Sequence, residues 1–300
     1  MRFLAVLNRD GGTLRTTDIG AFQDRAAKML EAAGHHVTFK VVRGKDVVPA
    51  LKDAAADDDA DVVLAGGGDG TISAAAAALM DRGKALAVLP AGTMNLFARA
   101  LGVPLSLDKA VAAFAEGEIR AVDLASANGR PFVHQFSVGM HARMVDLRSR
   151  MQFASRWGKM HASVKAAFAT VMKPPSMAVE LDLGDALLST RTSGIGITNN
   201  LFGEGTLPYA RDPAGGTLGV YVSVAQERHE MLRFFAKMAL GRWKNNDQVV
   251  IHEAEKVTLR IVTKRFVKRC VIDGELAPLD RETVVKIHPA ALDVLVPKAG

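Results

Sequence analysis

Two glycine-bearing turns hold the residues best suited to chemistry. The first is Gly66-Gly67-Gly68-Asp69-Gly70-Thr71, which follows the apolar run 62–65. The second is Pro90-Ala91-Gly92-Thr93-Met94-Asn95, which follows the apolar run 85–89. Each sits where a buried strand would hand over to a helix. Successive glycines let backbone N–H groups approach an anion with no Cβ in the way, and a helix N-terminus adds partial positive charge. That is a design for phosphate. The carboxylate of Asp69 sits inside the first loop, where a bare anion hole has no use for it. It suggests a bound cation or proton transfer.

Elements that alternate strand and helix must position these turns. Residues 2–7 read as a buried strand ending in Asn8-Arg9-Asp10-Gly11-Gly12-Thr13. Residues 19–33 have helical spacing with Phe22, Ala26, Met29 and Leu30 on one face, and Gly34 fits a C-terminal cap. A strand over 36–42 and a helix from Asp46 to Ala56 follow. After the first glycine turn the pattern predicts a helix over 71–80, then the strand 85–89, a short helix ending near Leu101, and another over 107–117. The first 122 residues therefore read as a doubly wound α/β nucleotide-binding domain. Its ligand site is expected at the C-terminal ends of the strands, where the turns at Asn8, Gly66 and Gly92 converge. The run Asp57-Asp58-Asp59 reads as a solvated turn.

Beyond Arg120 the pattern changes. Strands over 121–126 and 132–138 flank Asn128-Gly129, a strong hairpin signal. Later strand-like runs are 178–183, 194–198, 218–224, 248–251, 256–262, 266–272 and 284–288. Two helical stretches, 140–172 and 229–243, interrupt them. Residues 123–289 are thus expected to form a mainly antiparallel β-sandwich, with 290–300 returning to the first domain. The single cysteine, Cys270, forbids an intrachain disulfide and points to a reducing compartment. No stretch approaches the roughly 18 apolar residues that would span a bilayer, and the N-terminal apolar run is too short for a signal peptide. A net charge of +6 favours an anionic partner. With two Trp and two Tyr, stacking platforms for nucleic acid are scarce, so no nucleic-acid partner is expected.

The segments Gly67 to Thr71 and Gly92-Thr93-Met94-Asn95-Leu96-Phe97-Ala98-Arg99, followed by Leu101-Gly102-Val103-Pro104, resemble the diacylglycerol kinase catalytic-domain family. That family includes soluble bacterial diacylglycerol kinases and the sphingosine and ceramide kinases. Val122-Asp123-Leu124 with Phe136-Ser137-Val138-Gly139 is similar to its domain-crossing segment, and Asp273-Gly274-Glu275 to its late acidic motif. The resemblance implies an ATP- and Mg²⁺-dependent lipid kinase with its active site in the cleft between the two domains. Asn8, Gly11, Gly12, Gly67, Gly68, Asp69, Gly70, Thr71, Thr93 and Asn95 would hold ATP. Asp69 would stand near the phosphates and Mg²⁺. Asp273 and Glu275 would supply the general base for the lipid hydroxyl. Residues two apart on a strand project to one face, so both acids could point into the cleft; the plainer reading of that tripeptide is the polar end of a hairpin.

The chain departs from the family at three places. Its first turn lacks the usual proline and serine. Leu96 stands where an acid is common. Ala214-Gly215-Gly216-Thr217-Leu218 lacks the carboxylates of a structural Mg²⁺ turn, so that site is expected to be absent.

A lipid kinase must also meet its substrate at a membrane. The basic, apolar stretch 140–173, with Arg148, Arg150, Arg156, Trp157 and Lys159, has the pattern of an interfacial helix on an anionic leaflet. Its plainer reading is a solvated basic face over core positions. Lys264, Arg265, Lys268 and Arg269 form a second basic cluster. Methionines are suited to an acyl-chain pocket between the domains. The expectation is a cytoplasmic enzyme bound peripherally to the inner face of the membrane, with a homodimer compatible with the sequence. The leading function is phosphorylation of the primary hydroxyl of a two-chain neutral lipid, diacylglycerol or ceramide. The alternatives are an NAD kinase-like enzyme with a soluble substrate and a non-catalytic lipid- or nucleotide-binding protein.

Overall fold

The computed structural model describes residues 1–149, 174–205, 207–242, 246–263 and 268–298, with the backbone alone at Arg148. The chain divides into two compact units. One comprises Met1–Leu124, Tyr209–Gly215 and His288–Gly300; the other comprises Ala125–Pro208 and Gly216–Ile287. The first is α/β and the second an antiparallel sandwich, as the sequence pattern predicts.

In the first unit, β1 (Arg2–Asn8), β2 (His36–Val42), β3 (Val62–Gly67) and β4 (Ala85–Pro90) form a parallel sheet in the order β2-β1-β3-β4. Every residue of β3 and β4 is buried, which is why these runs are continuously apolar rather than alternating. Helices α1 (Ile19–Ala32) and α5 (Leu107–Ala115) pack together, as do α2 (Val47–Ala56) and α3 (Asp69–Leu79); α4 (Leu96–Ala100) follows the turn after β4. Phe22, Ala26 and Leu30 form the buried stripe of α1, and the Asp18 carboxylate caps that helix by accepting the N–H of Ala21. The chain leaves β1 for β2 on one side and returns to β3 on the other. Strand order therefore reverses between β1 and β3, and open α/β sheets bind ligands at such reversals.

Strand β5 (Glu118–Ala127) leads into the second unit, where it forms a hairpin with β6 (Arg130–Phe132). Asn128 and Gly129 turn it with φ of 46° and 79°, the left-handed pair of a tight hairpin. The run 132–138 is not one strand. It breaks at Val133 and His134, and β7 (Gln135–Gly139) then joins a different sheet, followed by α6 (Met140–Ser149). One sheet of this unit contains β8 (Met177–Asp182), β9 (Leu187–Thr192) and β13 (Lys256–Ile261). The other contains β7, β10 (Gly194–Asn199), β11 (Leu218–Ser223), β12 (Val249–Ala254), β14 (Arg269–Ile272) and β15 (Glu275–Pro278), in the order β12-β11-β10-β7-β14-β15. Phe136, Val138, Ile195, Ile197, Val220, Val179 and Leu259 fill the space between these sheets. Helix α7 (Arg228–Ala239) follows β11.

Strand β16 (Glu282–Val296) has a double role. Its early residues pair with β13, as in Val285 with Val257. Its late residues run parallel to β4, as in Val294 with Leu86. At the change of partner Ala290 takes a φ of 53°, and its N–H donates to the buried carboxylate of Asp123 at 3.0 Å. Among the described residues, no helix is long and apolar enough to cross a membrane.

Cys270 is buried on β14, and its Sγ donates to the carbonyl of Pro278 at 3.3 Å. Burial pushes its thiol pKa up. A raised pKa leaves less thiolate at any given pH. Iodoacetamide should therefore modify native Cys270 more slowly than the urea-unfolded chain at pH 8. Equal rates would mean the site opens readily.

Candidate active site

The three turns of the first unit come together. Strand β3 continues through Gly67 because Gly66 and Gly67 still pair with Leu89 and Pro90. Helix α3 therefore opens at Asp69 and not, as the sequence pattern suggested, at Thr71. Asp69 is the first residue of a helix rather than a loop residue, and its carboxylate reaches the second turn. Oδ2 accepts the N–H of Asn95 at 3.1 Å and Oδ1 that of Leu96 at 2.7 Å. Asn95, at φ 50°, clasps Gly92 in both directions. Its Oδ1 accepts the Gly92 N–H at 2.8 Å, and its Nδ2 donates to the Gly92 carbonyl at 3.0 Å. A Cβ on Gly92 would lie 2.8 Å from the Cα of Gly68, so only glycine lets the two turns touch.

The first turn joins the same cluster. Asn8 Nδ2 donates to Thr71 Oγ1 at 3.2 Å, and the Thr13 N–H donates to the Ala91 carbonyl at 2.7 Å. Gly11 closes back on the Asn8 carbonyl, and a Cβ on Gly12 would strike the Ala91 carbonyl oxygen. Asn8, Gly11, Gly12, Gly67, Gly68, Asp69, Thr71 and Asn95 are thus gathered at the reversal of strand order. Gly70 stands in the first turn of α3 and Thr93 is exposed on the second turn.

No side chain caps α3 at Gly68, so the N-terminus keeps its capacity for an anion. Mg²⁺ carried on nucleotide phosphates retains several waters and takes one or two protein carboxylates. Asp69 fits such an ion, since each oxygen accepts one backbone N–H and keeps lone-pair capacity. Among the described residues, no three acidic, His or Cys side chains form a closed metal cage.

The late acidic motif differs from its expected geometry. Asp273 and Gly274 are the two turn residues between β14 and β15, with φ of 46° and 83°, and Ile272 pairs directly with Glu275. The tripeptide is a hairpin end, so the same-face rule for strands does not apply. The two acids have separate surroundings. The Asp273 carboxylate accepts the N–H groups of Val133, His134 and Gln135 at 2.9, 2.9 and 3.0 Å. These are the groups freed where the chain breaks between β6 and β7. Glu275 is exposed and lies 3.9 Å from Arg130, a weak surface pair.

The second unit also holds an apolar cavity of about 270 Å³. Small residues create it. Gly194 and Gly196 alternate on one face of β10, opposite Gly139 and Ser137 of β7 and opposite Ser223 and Tyr221 of β11. Helix α7 covers this face with Phe234, Phe235 and Met238, and α6 contributes Met140, His141 and Met144. The methionine-lined pocket therefore lies wholly within the second unit, not between domains. Its polar groups are few: Ser137 Oγ lies 2.6 Å from His141 Nδ1, and Gln135 Nε2 lies 3.2 Å from it. Gln135, His141 and Tyr221 went unrecognised in the sequence, and Ser137 stood out there only within Phe136-Ser137-Val138-Gly139. The run Gly194-Ile195-Gly196-Ile197 was the available signal.

Arg150, Arg156, Trp157 and Lys159, with the side chain of Arg148, lie outside the described residues, as do Lys264 and Arg265. Arg269 pairs with Asp146 at 3.3 Å.

Comparison with known proteins follows the two units. The family model of the diacylglycerol kinase catalytic domain matches residues 2–127, and that of the YegS C-terminal NAD kinase beta sandwich-like domain matches residues 134–296. An uncharacterized protein of Synechocystis sp. is 27% identical over 235 residues, 74% of this chain, and the match spans about half (51%) of that relative's length. The diacylglycerol kinase of Bacillus subtilis strain 168 is 27% identical over 229 residues, covering 74% of this chain and 72% of its own length. A crystal structure described as a diacylglycerol kinase from Bacillus anthracis superposes with a TM-score of 0.72 at 18% identity, covering 99% of this chain and 97% of its own.

Asp69 caps α4 through the N–H groups of Asn95 and Leu96, so its loss should be felt without any ligand. Asp69→Ala is expected to lower unfolding stability in urea by about 0.5–2 kcal/mol, the worth of a helix cap. A carboxylate serving only catalysis would leave the nucleotide-free protein equally stable or more stable.

Proposed function

Since the chain belongs to the diacylglycerol kinase-like family of kinases, we propose that it transfers the γ-phosphoryl group of ATP to the primary hydroxyl of a two-chain neutral lipid, diacylglycerol or ceramide. Family membership supports a phosphotransferase. The observation that carries the lipid half of the reading is the apolar cavity backed by Gly194 and Gly196. A soluble dinucleotide substrate would leave this greasy space without use. Its volume is near the lower end of ligand pockets, roughly 300–1,000 Å³, and suits part of an acyl chain.

The roles of the residues follow from their positions. Backbone N–H groups at Gly68 to Gly70 and around Gly92 cradle the phosphates, helped by the N-terminus of α3. Asp69 stiffens both turns and would hold Mg²⁺, which would supply charge neutralisation when bound with the nucleotide. Asn8 fixes Thr71 through its side-chain amide. Asp273 accepts the proton of the lipid hydroxyl as its oxygen bonds to the γ-phosphorus and ADP leaves. Two observations favour Asp273 over Glu275 for this step. Three backbone N–H groups hold its carboxylate in one orientation, and one of them belongs to Gln135, which lines the cavity. Such a kinase meets its lipid at a membrane surface by peripheral contact, at the inner face in the cytoplasm.

The test is label transfer from γ-labelled ATP to diacylglycerol, ceramide, sphingosine, monoacylglycerol and NAD, assayed side by side. Label is expected in diacylglycerol or ceramide. Asp273→Asn should reduce the rate by about 10²–10⁴-fold, the usual contribution of a general base. Label in NAD alone would assign a soluble substrate. Label in none would leave a binding protein.

A further inference from the structure

Helix α7 is apolar on two opposite sides. Its inner side, Met231, Phe234, Phe235 and Met238, packs on the second unit, and the last three line the cavity. Its outer side carries Leu232, Ala236, Ala239 and Leu240 at helical spacing, all exposed, with Leu232 at 56% and Leu240 at 66%. The rest of the helix, Arg228, His229, Glu230, Arg233 and Lys237, is polar, so of its two apolar stripes only the inner one is covered.

The charges at the rim of this outer side are mainly positive. Arg228, Arg233 and Arg242 are exposed along and just after the helix. The neighbouring acids are already engaged. Glu227 and Glu230 close a capping box at the helix start, Glu227 also meets His229 at 3.2 Å, and Asp247 pairs with Lys237 at 2.6 Å. An apolar stripe edged by arginines is complementary to an anionic lipid surface, with leucines among the acyl chains and guanidinium groups among the phosphates. A second copy of the chain fits less well, because a two-fold contact through this face would bring the same arginines together.

We propose that α7 is the membrane-docking element of this protein, seating its outer stripe in an anionic bilayer. This assignment rests on the lipid-kinase reading for its purpose, but the docking itself is independent of catalysis. One wall of the acyl cavity is the inner side of the docking helix. A protein so seated holds the cavity one helix diameter, about 10 Å, from the bilayer surface.

The test uses the full chain and sedimentation with vesicles of phosphatidylcholine alone or mixed with phosphatidylglycerol. Wild type is expected to sediment with the mixed vesicles and weakly with the neutral ones, and to be released by salt. Leu232→Asp with Leu240→Asp should weaken vesicle binding by at least about tenfold through loss of buried apolar area. Arg228→Ser with Arg233→Ser and Arg242→Ser should weaken binding to the mixed vesicles by about a hundredfold and remove most of the salt dependence. Circular dichroism and melting temperature of both variants should match wild type, since every changed side chain is exposed. Phosphorylation of a monomeric short-chain diacylglycerol should be unchanged, which separates docking from chemistry. If wild type transfers no phosphoryl group yet binds vesicles through α7, the kinase reading fails and the docking stands. Vesicle binding that survives both sets of substitutions would overturn the proposal. So would a wild-type dimer in sedimentation velocity that the two aspartates dissociate, since the face would then join two copies.

Discussion

From the first turn of its own helix, Asp69 holds two backbone N–H groups of a loop that begins more than twenty residues later. This contact sets the position of the second glycine turn relative to the first. The Asn95–Gly92 clasp, the approach of Gly92 to Gly68, and the contact of Thr13 with Ala91 then lock around it. A phosphate site needs several N–H groups aimed at one point before the ligand arrives, because ordering them on binding would cost affinity. The charge of Asp69 is used inside the scaffold, on two backbone N–H groups.

The second unit solves a different problem with the same residue type. Its sheet of β7, β10 and β11 has one face of Phe136, Val138, Ile195, Ile197 and Val220 in the sandwich core. The opposite face carries Gly194, Gly196, Ser137 and Ser223 beside Gln135 and Tyr221, and these small residues leave a space beneath α6 and α7 that the larger side chains around it do not fill. In the first unit glycine lets two backbones touch; in the second it leaves an apolar cavity open. Methionine at the margins suits such a space, because its unbranched side chain adapts to irregular gaps.

Much of this was readable from sequence, and the reasons are physical. The glycine turns are local: each is a strand end, a few small residues and a helix start. The buried strands β3 and β4 announce themselves as unbroken apolar runs. The hairpin at Asn128-Gly129 was legible for the same local reason. Asp273-Gly274 carried an equally strong hairpin signal, yet a functional expectation placed Asp273 and Glu275 on a strand. The backbone conformation of the aspartate settles the matter. Strand β9, Leu187–Thr192, escaped because four of its six residues are Ser189, Thr190, Arg191 and Thr192, which give little apolar contrast. The cavity escaped because it belongs to no single segment. Gly196 faces Ser137 and Tyr221 only after three strands from distant parts of the chain have paired, and no periodicity within one strand reports that. Asp123 and Ala290 likewise meet only through tertiary structure.

Strand β16 carries a consequence for how the protein is made. The parallel sheet of the first unit gains β16 only when Val294 pairs with Leu86, roughly two hundred residues apart in the chain. While the ribosome is still building the sandwich, β4 stands as a bare sheet edge, and parallel pairing over such a distance is slow. The nascent first unit is therefore open to wrong partners throughout that interval. Its exposed edge is where a chaperone would be most useful, and where overexpression would first show as insoluble protein.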